Sequence, residues 1–445
     1  MMDTGGAGRS TEWAVPPPTD GTAIYELAAR LYPLCRSLAG DGVRETLAII
    51  GEHLPLTVHQ VPSGTPPLYD WKAPQEWIIR EAYIADMNGN RIVDFARHNL
   101  HVVNFSVGVR ARMPLGALKA HIHTLPDQPD LIPYRTCYHA EGGWGGFCMA
   151  HREFLAMQDG DYDVVIDAER RDGFLTFGEF IHRGGETDET FILSAHLCHP
   201  SLANDNCSGL ALLAHLGEVL QSRRTRLTYR LLFGPATFGA LAWLQQNEAH
   251  LGLVRHGLVL SCVGDAGRPN YKRSRRGDAE IDRIMGHVLA GRADAVLHDF
   301  WPYGYDERQF CSPGFNLPVG MFQRSLYGTF PEYHTSADNL DFIKPPQYLD
   351  QSFNAVMQAI EIAERNWRPV NLSPKGEPQL GRRGLYGSAG GDSRSAQNAM
   401  ALLWVLNLAD GEHSILDMAE RAKLPFATLA DAADRLRDAG LLAAT

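Results

Sequence analysis

The segment from Thr190 to Leu220 constrains the fold of this chain more than any other. An apolar run over Thr190–Leu193 predicts a buried strand, and the apolar residues of Leu210–Leu220 predict a helix. The loop between them carries His196 and Asp205. Open α/β sheets place ligands at the carboxyl ends of their strands, and zinc prefers imidazole and carboxylate ligands. The segment therefore predicts an α/β sheet with a metal site at one edge.

Two further histidines extend this prediction. His334 lies in the stretch 332–338, far downstream of the first loop, and it is a third candidate ligand. His199 follows His196 by three residues. From the residues alone, His199 is a further ligand, a substrate contact or a packed side chain, and these alternatives stay open.

The rest of the chain predicts how this sheet is built. From Asp163 onward, runs of strand length, beginning with Val164–Ile166, alternate with helical patterns, which predicts a three-layer α/β/α sandwich. Before that point, two strand-like runs flank Asn88-Gly89, a strong hairpin signal, and a third strand is predicted over His101–Val107. These strands predict a small β-rich insert on the main domain. The expected domains are a flexible lead-in (1–20), the main domain (21–65 and 129–368), the insert (66–128), a linker (369–394) and a C-terminal domain (395–445).

Composition excludes several classes of function. The 445 residues carry a net charge of −11, which disfavours nonspecific nucleic-acid binding. There is no apolar signal core and no segment long enough to cross a membrane, so no membrane partner is expected. The seven cysteines are scattered and odd in number, which favours a reduced, cytoplasmic protein.

The C-terminal domain contains three predicted helices whose pattern resembles a winged helix-turn-helix. Ser414 is a candidate N-cap with Asp417 three residues later, and Gly440 is a candidate C-cap. The third helix carries acidic residues as well as arginines, whereas a helix that reads DNA is normally basic. We therefore expect a docking or dimer module, a homo-oligomeric protein, and no nucleic-acid partner. The charged residues of this helix are Asp431, Asp434, Asp438, Arg435 and Arg437.

The loops around His196 and His334 resemble the metal-binding loops of the zinc aminopeptidase superfamily, whose relatives include glutaminyl cyclase. The resemblance implies that His196, Asp205 and His334 hold metal, and Asp265 matches a further ligand. Together with the insert and the winged helix, the layout resembles a bacterial aminopeptidase-like family. This resemblance implies a fold of the zinc-exopeptidase type, one or two zinc ions, and cleavage of an amide bond.

The chain departs from the superfamily pattern at one point. A Glu-Glu pair is expected after the strand Leu227–Phe233, but Ala236 and Thr237 stand there, and neither side chain can act as a carboxylate base. Three explanations stay open. A single metal is held by His196, Asp205 and Asp265, or by Asp205 and His334; another carboxylate is the base; or catalysis has been lost. The candidate bases are Glu307, Asp306 and Glu332.

The segment 303–309 has the composition of a functional loop, because charged groups lie between aromatic and Gly/Pro-rich stretches. Arg308 could hold a substrate carboxylate in bidentate fashion, and Tyr305 is a second candidate substrate contact. The alternative for Arg308 is an ion pair with Glu307. Arg135 could face the same cleft from the strand-rich side.

These observations favour a metal-dependent hydrolase that cleaves an amide bond in a small peptide or an aminoacylated metabolite. The first alternative is a catalytically degenerate binding or scaffold protein, supported by Ala236 and Thr237. The second is a winged-helix transcription regulator, which the acidic third helix argues against.

Overall fold

The computed structural model describes residues 20–64, 67–138, 144–385 and 393–444. Apart from Asp20, the predicted lead-in lies outside the described residues. The chain divides into a main unit, Pro18–Asp282 with Arg292–Phe353, and a C-terminal unit, Arg283–Gly291 with Asn354–Thr445. In the described ranges, no helix combines the length and apolar character needed to cross a membrane.

The helices and strands of the described residues are numbered in chain order. The helices are α1 (Thr22–Leu31), α2 (Asp41–Gly51), α3 (Leu115–Leu118), α4 (His151–Ala156), α5 (Gly209–Gln221), α6 (Phe238–Asn247), α7 (Glu280–Ala290), α8 (Glu307–Phe310), α9 (Gln347–Arg365), α10 (Ser393–Leu408), α11 (Ile415–Ala422) and α12 (Phe426–Asp438). The strands are β1 (Thr57–Pro62), β2 (Pro67–Leu68), β3 (Trp71–Lys72), β4 (Glu76–Ala85), β5 (Arg91–Asp94), β6 (Val109–Pro114), β7 (Ile122–His123), β8 (Phe147–Cys148), β9 (Asp161–Arg171), β10 (Phe174–His182), β11 (Thr190–His196), β12 (Thr228–Gly234), β13 (Val254–Leu260), β14 (Asn270–Lys272), β15 (Val296–His298), β16 (Val319–Gln323), β17 (Pro369–Asn371) and β18 (Leu442–Ala444).

The main unit is built on an eight-stranded sheet in the order β1-β10-β12-β11-β13-β16-β14-β15. Its centre is parallel, because β11 pairs in parallel with β12 and β13, and β13 pairs in parallel with β16. Every residue of β11 is buried, as expected for a parallel strand covered on both faces. The carboxyl ends of these central strands therefore meet at one edge of the sheet, where His196 ends β11.

Helices cover both faces of this sheet. On one face, α6 contributes Trp243 to an apolar cluster with Phe177, Ile192 and Val259 from three strands. On the other face α5 packs closely, since a Cβ at Gly217 would lie 2.9 Å from Cδ2 of Leu231 in β12. The three-layer α/β/α architecture predicted from the sequence is confirmed.

The β-rich insert is a four-stranded sheet in the order β5-β4-β9-β6. The hairpin around Asn88-Gly89 is confirmed, since Tyr83 pairs with Asp94 and Gly89 has a φ of 84°. The predicted strand at Val164–Ile166 belongs to β9 of this sheet, so its assignment to the main α/β alternation is wrong. The insert sheet therefore draws on residues beyond the expected range 66–128. The expected strand at His101–Val107 is also absent, because a 3₁₀ turn at Asn99–His101 is followed by irregular backbone that makes only isolated bridges.

The C-terminal unit contains the three predicted helices, α10 to α12, and a short sheet of β17 and β18. Ser414 caps α11 through a reciprocal capping box with Asp417, as predicted. The segment 369–394 begins with β17, so its start belongs to this sheet; residues 386–392 of the predicted linker lie outside the described residues.

Candidate metal centre

The loop that follows β11 brings its polar residues to the carboxyl edge of the sheet. Asp205 lies in the turn Ala203–Ser208 between β11 and α5, and the peptide bond between Asp205 and Asn206 is cis. Asp338, from the loop that carries His334, fixes this turn. Its carboxylate accepts the backbone N–H groups of Asn204 (2.6 Å) and Asp205 (3.0 Å). Asp338 is a site residue that sequence analysis did not single out, although it ends the stretch 332–338.

Asp205 is the centre of a cluster of three histidines. Nε2 of His196 lies 2.8 Å from Asp205 Oδ1, and Nε2 of His334 lies 2.9 Å from Oδ2. Nδ1 of His199 lies 3.1 Å from Nε2 of His196 and 3.9 Å from Asp205 Oδ1. One ligand-type atom from each of His196, His199 and Asp205 lies within 4.8 Å of the others. The structure therefore brings together the three strongest sequence candidates and adds His199.

The burial of this cluster and the pKa shifts of Asp205 and His199 suit metal binding. His196 and Asp205 are 0% exposed, whereas the side chain of His334 is 31% exposed and forms the open side. Burial opposes ionisation of Asp205, yet the neighbouring His199 and His196 hold its pKa well below the usual range. Burial lowers the pKa of His199 to about 3. A carboxylate beside a neutral imidazole is the form in which these groups bind zinc, so this donor set fits zinc.

Asp265 lies outside this cluster. Its carboxylate accepts hydrogen bonds from the Asn204 side-chain amide (2.8 Å), the Ser325 hydroxyl (2.6 Å) and the Gly267 N–H (2.6 Å). These contacts anchor the turn that carries Asp205. Both oxygens of Asp265 therefore accept hydrogen bonds from neighbouring loops, and His199 is the third donor close to His196 and Asp205.

Glu307 is also committed elsewhere. It forms an ion pair of 2.7 Å with Lys272, and both side chains are 0% exposed. Its other oxygen accepts the N–H of Tyr305 at 3.0 Å, and the Lys272 ammonium lies 4.3 Å from the centre of the Trp301 ring. The alternative Glu307–Arg308 pair does not form, because both oxygens of Glu307 are engaged by Lys272 and the Tyr305 N–H.

Asp306 occupies the place left by the missing Glu-Glu pair. It is 2% exposed, and its Oδ1 accepts the N–H of Thr237 at 2.7 Å. Burial raises the pKa of Asp306 to about 6, while the hydrogen bond from the Thr237 N–H acts in the opposite direction. A carboxylate from the segment 303–309 thus lies against the backbone position where the superfamily carries its own carboxylate.

Of the other predicted site residues, Tyr305 contacts the cluster, whereas Glu332 and Arg135 do not within the described residues. Tyr305 touches the cluster, because its hydroxyl donates to Asp205 Oδ2 (2.9 Å) and its ring stacks on His196 with centroids 4.4 Å apart. Glu332 is partly exposed beside His334, and no hydrogen bond or ion pair of its side chain occurs within the described ranges. Arg135 is exposed and touches none of the cluster residues in the described part of the chain.

Two tyrosines belong to the site although sequence analysis assigned them no role. The ring of Tyr134 stands edge-on to His199 and His334, at 5.1 Å from each, and its N–H donates to the His334 carbonyl at 2.7 Å. The hydroxyl of Tyr333 lies 2.8 Å from that of Tyr305. Both are immediate chain neighbours of candidate residues, which was the only sequence signal for them.

The fold and the histidine–aspartate cluster define an aminopeptidase-like domain followed by a winged helix. Residues 25–366 match the family described as "Domain of unknown function (DUF4910)", and residues 367–444 match a winged helix-turn-helix family. The chain belongs to the DUF4910 family.

Two findings from Clostridium acetobutylicum cover almost the whole chain. One relative is 46% identical over 423 residues, spanning 95% of this chain and 96% of that protein, and is named a candidate polysaccharide biosynthesis protein with an aminopeptidase-like domain. A crystal structure of a candidate peptidase from the same organism has a TM-score of 0.90 at 44% identity, over 96% of both chains. The zinc aminopeptidase BSAP from Bacillus subtilis shares the fold, with a TM-score of 0.55 at 14% identity over 77% of this chain and 94% of that one.

Proposed function

We propose that this protein is a metal-dependent hydrolase that cleaves an amide bond in a small peptide or an aminoacylated metabolite. The observation that carries the proposal is the position of Asp205, with His196 on one carboxylate oxygen and His334 on the other. His199 lies next to His196 and completes the donor set. The fold shared with zinc aminopeptidases supports zinc as the metal.

The protein's own residues divide the chemistry among them. His196, His199, Asp205 and His334 would hold zinc, which when bound supplies Lewis-acid activation of water and of the amide carbonyl. Asp306 Oδ1 accepts the Thr237 N–H. Its Oδ2 would take the proton that the attacking water loses and return it to the departing amine. Tyr305 orients Asp205 through the hydroxyl hydrogen bond, as a partner of a metal-binding carboxylate does.

The name of the Clostridium acetobutylicum relative widens the substrates worth testing. That protein is named for polysaccharide biosynthesis. We therefore include amides of amino sugars beside dipeptides and aminoacylated metabolites in a screen for turnover.

The first test is metal content by elemental analysis of protein purified without added metal. We expect about one or two zinc equivalents in the native protein, lost in His196→Ala and in His334→Ala. His413→Ala is the matched control, because His413 is bonded to Asp410 in the C-terminal unit and should leave the metal content unchanged. Native protein that takes up no metal even after reconstitution would contradict the proposal.

The second candidate function is a binding or scaffold protein without catalysis. Ala236 and Thr237 favour it, because they replace both carboxylates of the superfamily pattern. Thr237→Glu separates the two functions. If the native protein binds metal but turns over no amide, and Thr237→Glu creates turnover, the native protein is degenerate. A native enzyme should lose activity in this variant, since the new carboxylate would lie beside Asp306.

For the C-terminal unit we propose a docking or self-association role. The acidic residues of α12 pair with Arg365, at 2.6 Å from Asp431 and 2.8 Å from Asp434. Carboxylates repel the phosphate backbone of DNA, and here two of them form ion pairs within the unit. Sedimentation analysis tests the expected homo-oligomer, and a DNA-shift assay at defined salt should show no specific complex.

A further inference from the structure

Arg308 is partly buried and, like Arg36 and Arg324, has no carboxylate partner within the described residues. Its Nη2 donates to the Thr237 hydroxyl at 3.2 Å, and its Nε is buried without a hydrogen-bond partner. Across the described ranges, no carboxylate lies within ion-pair distance of its guanidinium. By contrast, the guanidinium of Arg230 pairs with Glu179 at 2.7 Å. A buried donor without an acceptor is costly, so Arg308 is a cation that lacks an anion.

The position of Arg308 places this cation beside the metal cluster. His196 ends β11 opposite Gly234, the last residue of β12, and Thr237 follows three residues later. The N–H of Thr237 binds Asp306 and its hydroxyl accepts from Arg308. Thr237 therefore joins the proposed proton-transfer carboxylate to the unpaired guanidinium, and both lie at the edge of the sheet where the cluster forms.

Aromatic side chains lie next to Thr237. Phe238 follows Thr237, and its ring meets the edges of Trp71, at 5.5 Å, and Tyr138, at 5.4 Å. Trp71 is 38% exposed, so part of this surface is open. A ring or an apolar chain of a substrate can cover such a surface while an anionic group reaches Arg308.

We infer that the substrate amide carries an anionic group, a carboxylate or a phosphate, which Arg308 binds beside the metal cluster. This inference rests on the proposed function for the reaction, and it adds the substrate class. The planar fork of Arg308 can bind either group through two parallel hydrogen bonds.

The test compares dipeptide amides that differ in one anionic group. The carboxylate pairs are alanyl-glutamate amide against alanyl-glutamine amide, and glutamyl-alanine amide against glutaminyl-alanine amide. The phosphate pair is alanyl-phosphoserine amide against alanyl-serine amide. Binding is measured by calorimetry on the metal-loaded full chain, and hydrolysis is measured separately. Arg308→Gln and Arg308→Lys are compared with Arg110→Gln, which removes an exposed arginine from β6.

We expect the anionic member of at least one pair to bind about tenfold more tightly, which corresponds to one charge-assisted contact. Arg308→Gln should abolish that preference, and Arg308→Lys should retain more of it for phosphate than for carboxylate. Arg110→Gln should bind all the amides as the native protein does. The pair that shows the preference identifies the anion.

Equal binding within all three pairs, or a preference that survives in Arg308→Gln, would overturn the inference. Because binding is measured independently of turnover, an anion preference without hydrolysis would contradict the proposed function and leave the role of Arg308 intact. Hydrolysis without an anion preference would support the proposed function and contradict the role of Arg308. Thermal unfolding of both Arg308 variants shows whether they remain folded at the assay temperature.

Discussion

Two of the fully buried carboxylates in the main unit have opposite surroundings. Asp205 and Glu307 are both 0% exposed. Asp205 meets the imidazoles of His196 and His334, whereas Glu307 meets the ammonium of Lys272. An ammonium neutralises a buried carboxylate permanently, whereas imidazole nitrogens are themselves metal ligands and can share a cation with it. The comparison shows that burial alone does not distinguish a candidate metal ligand from a structural ion pair; the partner side chain does.

The largest expected effect comes from replacing the first of these carboxylates. Asp205→Asn removes the negative charge on which the histidines converge, so we expect loss of the bound metal and loss of all amide hydrolysis. Elemental analysis and the amide screen measure both. Retention of stoichiometric metal in Asp205→Asn would break the comparison, because it would place the metal away from Asp205.

The matching change at the second carboxylate should act on stability instead. Glu307→Gln leaves Lys272 buried without its counter-charge, so we expect the free energy of unfolding to fall by about 3–5 kcal/mol. Denaturant unfolding measures this change. The double variant Glu307→Gln with Lys272→Met should be more stable than the single variant, and metal bound per folded chain should match the native protein in both.

Asp306 sharpens the comparison because it is buried but pairs with neither a histidine nor a lysine among the described residues. With the metal retained, Asp306→Asn should lower kcat by about 10²–10⁴-fold, the usual contribution of a positioned acid–base group. Because its pKa is raised to about 6, native activity should fall as the pH drops through about 6, where the carboxylate becomes protonated. This acidic limb should be absent in Asp306→Asn. Circular dichroism at pH 5 distinguishes lost ionisation from unfolding.

The smallest expected effect concerns the hydroxyl that orients Asp205. Tyr305→Phe keeps the ring on His196 and removes the hydrogen bond to Asp205 Oδ2, so we expect zinc affinity to fall by about 10–100-fold. Competition with a chelator measures the affinity. Tyr327→Phe is the matched control, since its hydroxyl donates to the Tyr303 carbonyl instead. Equal zinc affinity in native and Tyr305→Phe protein would exclude an orienting role.

Sequence analysis found His196 and Asp205 of the histidine–aspartate cluster because both lie between a predicted strand and a predicted helix. His196 follows an apolar run and Asp205 precedes a helix, so local patterns placed both at the sheet edge. The three-layer fold followed from the same alternation. The hairpin at Asn88-Gly89 was equally local, because both turn residues tolerate positive φ.

The errors came from contacts between residues far apart in the chain. The pairing of β9 with β4 lies outside any local pattern, so Val164–Ile166 was assigned to the wrong sheet. Lys272 binds Glu307 across 35 positions, and Asn204 binds Asp265 across 61. A charged residue in a loop does not show whether its partner will be a lysine, an amide or a metal, so these contacts of Glu307 and Asp265 could not be predicted from the sequence.

The most direct test of the central claim is a crystal structure of the metal-loaded protein with anomalous diffraction measured at the zinc edge. The account predicts an anomalous peak beside Asp205, with histidine nitrogens at about 2.0–2.1 Å, including those of His196 and His334. It also predicts that Glu307 remains paired with Lys272, away from that peak. No peak at Asp205, or a peak coordinated by Glu307 or Asp265 without His196 and His334, would contradict the account.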